Sequence, residues 1–242
     1  LLGAALGSFL CCAADRGTLP TGRSRCDGCG HTLGARDLIP IFSYIASRGR
    51  CRHCGGAIPT RCLTAEVVGA AGFAALGLKF GASPELVMQL ILAALLLLLS
   101  LVDWTAYILP DKLLLAAAVN RLVFVLLLRE PLEEALPQMA LGAFSVSLPL
   151  LLLSLVMDAL LKKDTLGGGD IKLLFVLGLY LSWLEMLLLL ALACVLALLW
   201  PAGPGRRRAG GEIPLGPFLA AAWLAVTLFG APLIQWYLSL LG

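Results

Sequence analysis

A series of long apolar runs, separated by short polar segments, constrains this chain more than any other feature. Eight runs lie at about 1–14, 64–80, 86–102, 112–128, 137–157, 171–184, 186–202 and 217–240. Only 14% of the 242 residues are charged, against about 25% in soluble domains. Apolar runs of this kind favour membrane-spanning helices, which need about 20 residues each. The pattern therefore predicts an all-α polytopic membrane protein of about eight transmembrane helices, surrounded by lipid, and excludes a soluble domain or a nucleic-acid-binding protein.

The apolar and polar segments divide the chain into three predicted parts. Residues 1–14 are too short for a full span and lack the basic start and cleavage site of a signal peptide. We therefore expect them to be a first transmembrane helix whose beginning is missing. Residues 15–63 form the longest polar segment and are interpreted as a small domain. Residues 64–242 contain the remaining runs and are expected to form the membrane core.

The positions of the basic residues indicate how the chain is oriented. If the spans alternate, fifteen of the eighteen Lys and Arg residues fall on the side that carries residues 15–63. Cytoplasmic loops carry an excess of Lys and Arg, so this side is predicted to be cytoplasmic. Lys162, Lys163 and the three arginines at 206–208 are interpreted as ordinary charges of this kind.

The polar segment contains two Cys-x-x-Cys pairs, with 21 residues between the second and third cysteines. This spacing is typical of a tetrahedral zinc site with four thiolate ligands. Four cysteines close the coordination shell, so the zinc is predicted to be structural rather than catalytic. The alternative is two disulfides or free thiols, although a cytoplasmic location disfavours disulfides. The predicted ligands are Cys26, Cys29, Cys51 and Cys54.

Three aspartates lie at the edges of apolar runs, all on the predicted cytoplasmic side. Asp103 ends the third run, Asp111 opens the fourth, and Asp170 follows three glycines at the start of the sixth. Ionisable groups in or beside membrane segments are costly and usually functional. The three aspartates are therefore candidate site residues.

A purely structural role was considered for each aspartate. Asp111 and Asp170 could each be the favourable negative charge at the start of a helix. Asp103 is harder to explain, because it falls at the end of a predicted helix, where the helix dipole disfavours an anion. Two carboxylates at a partly desolvated site would share one proton, as in aspartic peptidases. The spacing alone does not show that Asp103 and Asp170 meet.

The order of these motifs resembles that of the type IV prepilin peptidases, membrane aspartic peptidases that also N-methylate pilins. The family's Gly-Ser-Phe-Leu-Asn motif is matched at residues 7–10, with Cys11 in place of Asn. In the family's Arg-Tyr-Pro-x-x-Glu segment, Arg61 and Glu66 remain, whereas Cys62 and Leu63 replace Tyr-Pro. The other matches are the four zinc-site cysteines, Asp37, Ile39 and Pro40, Arg48, Gly49 and Arg50, Asp103 with Pro110 and Asp111, the Gly-x-Gly-Asp-x-Lys motif at 167–172, and Ile-Pro-x-Gly-Pro at 213–217.

This resemblance implies an endopeptidase of the bacterial inner membrane that removes the leader of type IV prepilins or pseudopilins at the cytoplasmic face. It also implies N-methylation of the new N-terminal residue with S-adenosylmethionine. The implied catalytic pair is Asp103 and Asp170. Gly167, Gly169, Lys172 and Asp111 would support the active site, and Glu66 and Arg61 would belong to a substrate or methyl-transfer region. Glu66 could bind a leader lysine or pair with a neighbouring arginine.

Two other functions fit parts of the pattern. A transporter or channel could use the carboxylates as a proton relay, and a non-catalytic membrane scaffold could use the zinc loop for docking. A transporter predicts carboxylates near the bilayer midplane. Asp103 and Asp170 lie at one edge of the apolar runs, which favours the peptidase.

Overall fold

The computed structural model describes residues 1–16, 24–26, 28–162, 167–200 and 213–241. Lys163 and the arginines at 206–208 lie outside the described residues. The described part is helical, with two isolated antiparallel bridges and no strand. Its elements are α1 (Leu2–Arg16), a 3-10 turn (Ala35–Asp37), α2 (Phe42–Ala46), α3 (Thr60–Phe80), α4 (Pro84–Ala106), α5 (Asp111–Leu127), α6 (Leu132–Leu161), α7 (Gly168–Gly178), α8 (Trp183–Leu199) and α9 (Gly216–Leu241).

The chain divides into two compact units, Leu1–Gly81 and Ala82–Gly242. Unit 1 contains α1, the polar segment and α3, and α1 packs along α3. Unit 2 contains α4 to α9. The three-part functional division at residues 14 and 63 stays a prediction.

Four helices are long and apolar enough to cross a membrane: Thr60–Phe80, Pro84–Ala106, Leu132–Leu161 and Gly216–Leu240. The chain is thus a multi-pass helical membrane protein, as its apolar runs predicted. The sequence predicted about eight spans, and these four helices do not establish that number. The helices in three other runs, α5, α7 and α8, have 17, 11 and 17 residues. At 1.5 Å per residue, 17 residues extend about 26 Å, less than the roughly 30 Å hydrocarbon core.

The core of unit 2 brings the end of α4 to the beginning of α9. Helix α4 packs against α9 and α5, and α9 also packs against α8. Leucines supply most of the completely buried side chains, including Leu92, Leu96 and Leu99 of α4 and Leu219 of α9. Their spacing of three to four residues along α4 places them on one helix face. That face continues to Asp103, so the same packing that forms the core buries this carboxylate.

Candidate active site and metal centre

The four cysteines of the two Cys-x-x-Cys pairs come together in unit 1. The Sγ atoms of Cys26, Cys29, Cys51 and Cys54 all lie within 4.8 Å of one another. Cys26 Sγ and Cys54 Sγ are 3.8 Å apart. Thiolates that bind one zinc tetrahedrally at about 2.3 Å are separated by roughly 3.8 Å. The cluster therefore has the composition and dimensions of a metal site.

The two halves of the cluster repeat the same backbone geometry. Gly30 N–H donates to the Cys26 carbonyl at 2.8 Å, and Gly55 N–H donates to the Cys51 carbonyl at 2.9 Å. Both glycines have positive φ, 69° and 71°, a region in which a side chain is strained. A bridge closes each half, between Arg25 and Thr32 and between Arg50 and Ala57. Gly30 and Gly55, each directly after a Cys-x-x-Cys pair, thus allow the tight turns that place both thiols of each pair in the cluster.

The polypeptide around Cys51 favours a thiolate, the form that binds metal. Hydrogen bonds from the backbone of Cys54 and then of His53 lower the pKa of Cys51 to about 6. The rings of His31 and His53 stack with their centroids 3.5 Å apart, beside the thiol cluster. The donor set fits a divalent metal that prefers sulfur, with zinc as the first choice.

Asp103 lies in the last turn of α4, in unit 2, and is only 5% exposed. A carboxylate at a helix C-terminus is normally unfavourable because of the helix dipole. Here the backbone N–H of Gly216, the first residue of α9, donates to Asp103 Oδ2 at 2.9 Å. The positive N-terminal end of α9 thus compensates for the negative end of α4. This contact explains how the anion is tolerated.

Gly216 is required at this contact. A Cβ atom at this position would lie 2.7 Å from Asp103 Oδ2 and 3.3 Å from its Cβ. Any larger residue would push the carboxyl group aside or displace the start of α9. In the sequence, Gly216 was noted only as part of the Ile-Pro-x-Gly-Pro match, without a role at the site. The glycine between two prolines, just before an apolar run, was the signal that could have indicated a close approach.

Asp170 lies in the first turn of α7, where a helix favours a negative charge. Asp170 and Asp103 are 67 positions apart in sequence, but both lie in unit 2, at the start of α7 and the end of α4. A Cβ atom at Gly167 would lie 2.9 Å from Asp170 Oδ2, and one at Gly169 would lie 3.1 Å from Leu109 Cβ. The small residues before Asp170 thus leave room for its carboxylate and for the loop that follows α4.

Asp111 and Lys172 are more exposed than the buried Asp103 and the half-buried Asp170. Asp111 is the first residue of α5, and its Oδ1 accepts a hydrogen bond from Lys172 Nζ at 2.8 Å. Both side chains are exposed, with fractions of 72% and 58%. Asp111 therefore lies at the start of a helix, where a negative charge is favourable, as its structural interpretation predicted. It also forms an ion pair that joins α5 to α7.

Glu66 and Arg61 both have partners within unit 1. Glu66 is buried, and its Oε2 accepts a hydrogen bond from Ile41 N–H at 2.6 Å. Ile41 has a positive φ of 66° at the start of α2, so this bond stabilises a strained residue. Arg61 pairs with Asp15 of α1 at 2.6 Å. Sequence analysis did not identify Ile41 or Asp15, since nothing in their neighbourhood marks them as partners.

Two family models match the chain along most of its length. The Bacterial Peptidase A24 N-terminal domain matches residues 1–80, and the Type IV leader peptidase family matches residues 90–202. The chain is 36% identical over 229 residues to a prepilin leader peptidase/N-methyltransferase of Burkholderia pseudomallei, covering 91% of this chain and 73% of that protein. The chain belongs to the type IV leader peptidase family. The resemblance inferred from the motifs is therefore confirmed.

Other relatives of the type IV leader peptidase family carry the same description. A Bacillus subtilis protein is 30% identical over 253 residues, covering 99% of this chain and 96% of that protein. An Aeromonas salmonicida protein is 32% identical over 230 residues, covering 93% of this chain and 77% of that protein. Both are prepilin leader peptidase/N-methyltransferases. No solved structure matches the chain significantly.

Proposed function

We propose that this chain is a bifunctional prepilin leader peptidase and N-methyltransferase, with Asp103 and Asp170 as the catalytic pair of the peptidase. Membership of the type IV leader peptidase family supports both activities. The observation that carries the residue assignment is the burial of Asp103 at the end of α4, together with the close approach of Gly169, next to Asp170, to Leu109 of the loop after α4. Among the described residues of unit 2, Asp103 is a buried carboxylate at the end of a candidate span, and Asp170 is half-buried at the start of α7.

The proposed peptide cleavage needs one ionised and one protonated carboxyl group. Two neighbouring carboxyl groups that are partly removed from water share one proton, because a second negative charge is repelled. The ionised group takes a proton from the attacking water, and the protonated group donates a hydrogen bond to the scissile carbonyl. Gly216 N–H holds Asp103 in position and stabilises negative charge on it. Such positioning lowers the barrier because the reacting groups need not reorganise.

The proposed substrates are type IV prepilins or pseudopilins, cut where the substrate helix leaves the bilayer. The position of Asp103 at the last turn of a candidate span supports cleavage at a membrane edge. We infer that Asp111 and Lys172 stabilise the start of α5 and α7 and that Gly167 and Gly169 leave space around Asp170. All of these groups lie in unit 2.

N-methylation is proposed with S-adenosylmethionine as the methyl donor, since the relatives are N-methyltransferases. Glu66 and Arg61 are proposed to belong to the substrate or methyl-transfer region. Both are already engaged, by Ile41 N–H and by Asp15. Their present contacts therefore do not fit direct binding of the cofactor, and no step of the methyl transfer is assigned to them.

The proposed placement is in the bacterial inner membrane, with the zinc-binding segment at 15–63 and the active site on the cytoplasmic side. The excess of Lys and Arg in the corresponding segments supports this orientation. We propose that the shorter helices α1, α5, α7 and α8 complete about eight spans and that residues 64–242 form the peptidase core. The zinc is proposed to be structural, because four cysteines fill its coordination shell.

The test is mass spectrometry of a prepilin incubated with detergent-purified protein and S-adenosylmethionine. Wild type should remove the leader and add one methyl group to the product. Asp103→Asn and Asp170→Asn should each lose about 10²–10⁴-fold in cleavage rate. Glu133→Gln, at an exposed carboxylate of α6, is the matched control and should cleave as wild type does.

Each outcome of this test bears on a different part of the proposal. Undiminished cleavage by Asp103→Asn would disprove the catalytic pair. Cleavage without methylation would remove the second activity. Failure of folded wild type to cleave any prepilin would favour a transporter or a scaffold.

A further inference from the structure

Two thiols outside the metal cluster lie against each other in unit 1. Cys11 of α1 and Cys62 of α3 have their Sγ atoms 2.6 Å apart, although they are 51 positions apart in sequence. Cys11 is only 1% exposed, whereas Cys62 is partly exposed. In the motif resemblance, both residues replace others: Cys11 stands for Asn, and Cys62 stands for Tyr. Two of the departures from the motif thus contact each other in the structure.

The packing of α1 on α3 holds the two thiols together. One turn before Cys11, a Cβ atom at Gly7 would collide with the Ala65 carbonyl oxygen, so the two backbones approach closely. One turn after Cys11, Asp15 pairs with Arg61 at 2.6 Å. The thiols therefore lie between a backbone contact and an ion pair, and both fix the spacing of the helices.

The geometry favours a disulfide between Cys11 and Cys62 over a second metal site. Asp15 is close enough to make a third metal ligand with Cys11 and Cys62. Two thiolates on a tetrahedral zinc would be about 3.8 Å apart, as Cys26 and Cys54 are. The 2.6 Å separation of Cys11 and Cys62 is too short for that arrangement. In addition, the Asp15 carboxylate already holds Arg61.

We propose that Cys11 and Cys62 form a reversible disulfide that crosslinks α1 to α3 when the protein meets a peroxide. Disulfides are rare in a reducing cytoplasm, so the dithiol is the resting form and the crosslink forms on oxidation. The more accessible thiol, Cys62, is the residue that reacts with the oxidant, and the buried Cys11 resolves it.

The oxidation proceeds in two balanced steps. The Cys62 sulfur attacks one oxygen of hydrogen peroxide, the O–O bond breaks, and Cys62 becomes a sulfenic acid as the first water leaves with the thiol proton. The Cys11 sulfur then attacks the Cys62 sulfur, the S–O bond breaks, and the disulfide forms as the second water leaves. Two thiols are oxidised and one peroxide is reduced. A dithiol reductant reverses the reaction by thiol–disulfide exchange.

Peptide mapping by mass spectrometry of the whole purified protein tests this proposal. The protein is treated with hydrogen peroxide, alkylated, and digested with trypsin under non-reducing conditions. Cleavage at arginine and lysine separates Cys11, in the peptide ending at Arg16, from Cys62, in the peptide that follows Arg61 and ends at Lys79. The expected product is these two peptides joined, with the loss of two hydrogen atoms and full reversal by dithiothreitol.

Cys12 supplies a matched control, because it neighbours Cys11 in the same peptide. Cys11→Ser should abolish the crosslinked peptide, whereas Cys12→Ser should retain it. Alkylation of both Cys11 and Cys62 in the oxidised wild type would overturn the proposal, as would a crosslink through Cys12. A bound metal ion that Cys11→Ser loses, while the four-cysteine cluster stays loaded, would also overturn it in favour of a metal site. None of these readouts depends on peptidase activity.

Discussion

The thiol cluster of unit 1 and the carboxylate pair of unit 2 are assembled in opposite ways. The four cysteines span only residues 26–54, two of them are exposed, and tight turns present them. Asp103 and Asp170 come from different helices, and Asp103 is buried. The thiols have the donor set of a metal site, whereas Asp103 is held by the ends of packed helices.

Each site therefore depends on a different part of the structure. The thiol cluster depends on local turns and on a ligand, so a small polar segment with little core can form it. The carboxylate pair depends on the packing of α4, α7 and α9, because α9 supplies the N–H that compensates the buried charge. Loss of the metal should therefore affect one site strongly, and a packing change should affect the other.

Metal removal is expected to have the largest effect. A structural zinc contributes about 10–16 kcal/mol of binding free energy to a small domain, so a chelator should unfold the cluster. Trypsin should then cut faster after Arg25, Arg50 and Arg52, while cleavage at the partly buried Arg121 of unit 2 stays unchanged. The control is Cys194→Ser, at an exposed cysteine outside the cluster, which should preserve the metal content. Unchanged protease resistance after complete chelation would show that the cluster does not depend on metal.

Gly216→Ala should break the carboxylate pair while leaving the metal centre intact. The added Cβ would lie 2.7 Å from Asp103 Oδ2, and a displacement of about 1 Å in a catalytic group costs roughly 100-fold in rate. Leader cleavage should fall by about that factor at unchanged metal content. Gly77→Ala is the control, because nothing lies within 4 Å of a Cβ there. Full activity of Gly216→Ala would mean that this contact does not position Asp103.

Glu66→Ala should destabilise unit 1 without removing a metal ligand. The change leaves the partly buried Ile41 N–H without its 2.6 Å partner, and loss of a typical hydrogen bond costs about 0.5–1.5 kcal/mol. The thermal unfolding midpoint of the zinc-loaded protein should fall accordingly. Glu66→Gln keeps an acceptor oxygen and should be milder. Equal losses in the two variants would show that the charge of Glu66, rather than this hydrogen bond, matters.

The exposed Asp111–Lys172 pair should give the smallest effect. Exposed ion pairs contribute about 0–1 kcal/mol, because water and salt screen the charges. A double-mutant cycle of Asp111→Asn and Lys172→Met, read by thermal unfolding, should give a coupling in this range that falls with added salt. A coupling well above 1 kcal/mol would assign the pair a larger role than its exposure indicates.

Local patterns in the sequence predicted much of the molecule. The apolar runs predicted a multi-pass helical protein, and the Cys-x-x-Cys spacing predicted four thiols in one cluster. The number of spans was less predictable, because α7 ends at Gly178, before its apolar run ends, and α5 and α8 have only 17 residues each. The partner of Glu66 was not predictable either, since Ile41 contributes only its backbone N–H.

The family, the membrane character and the thiol cluster could be predicted without a structure, because each is marked by residue types within short stretches of chain. Helix packing, by contrast, places the Gly216 N–H against Asp103 at the unfavourable end of α4, and Cys11 against Cys62. These contacts join residues 51 to 113 positions apart. Helix packing fixes such distances, and the packing depends on many apolar contacts at once rather than on any one motif.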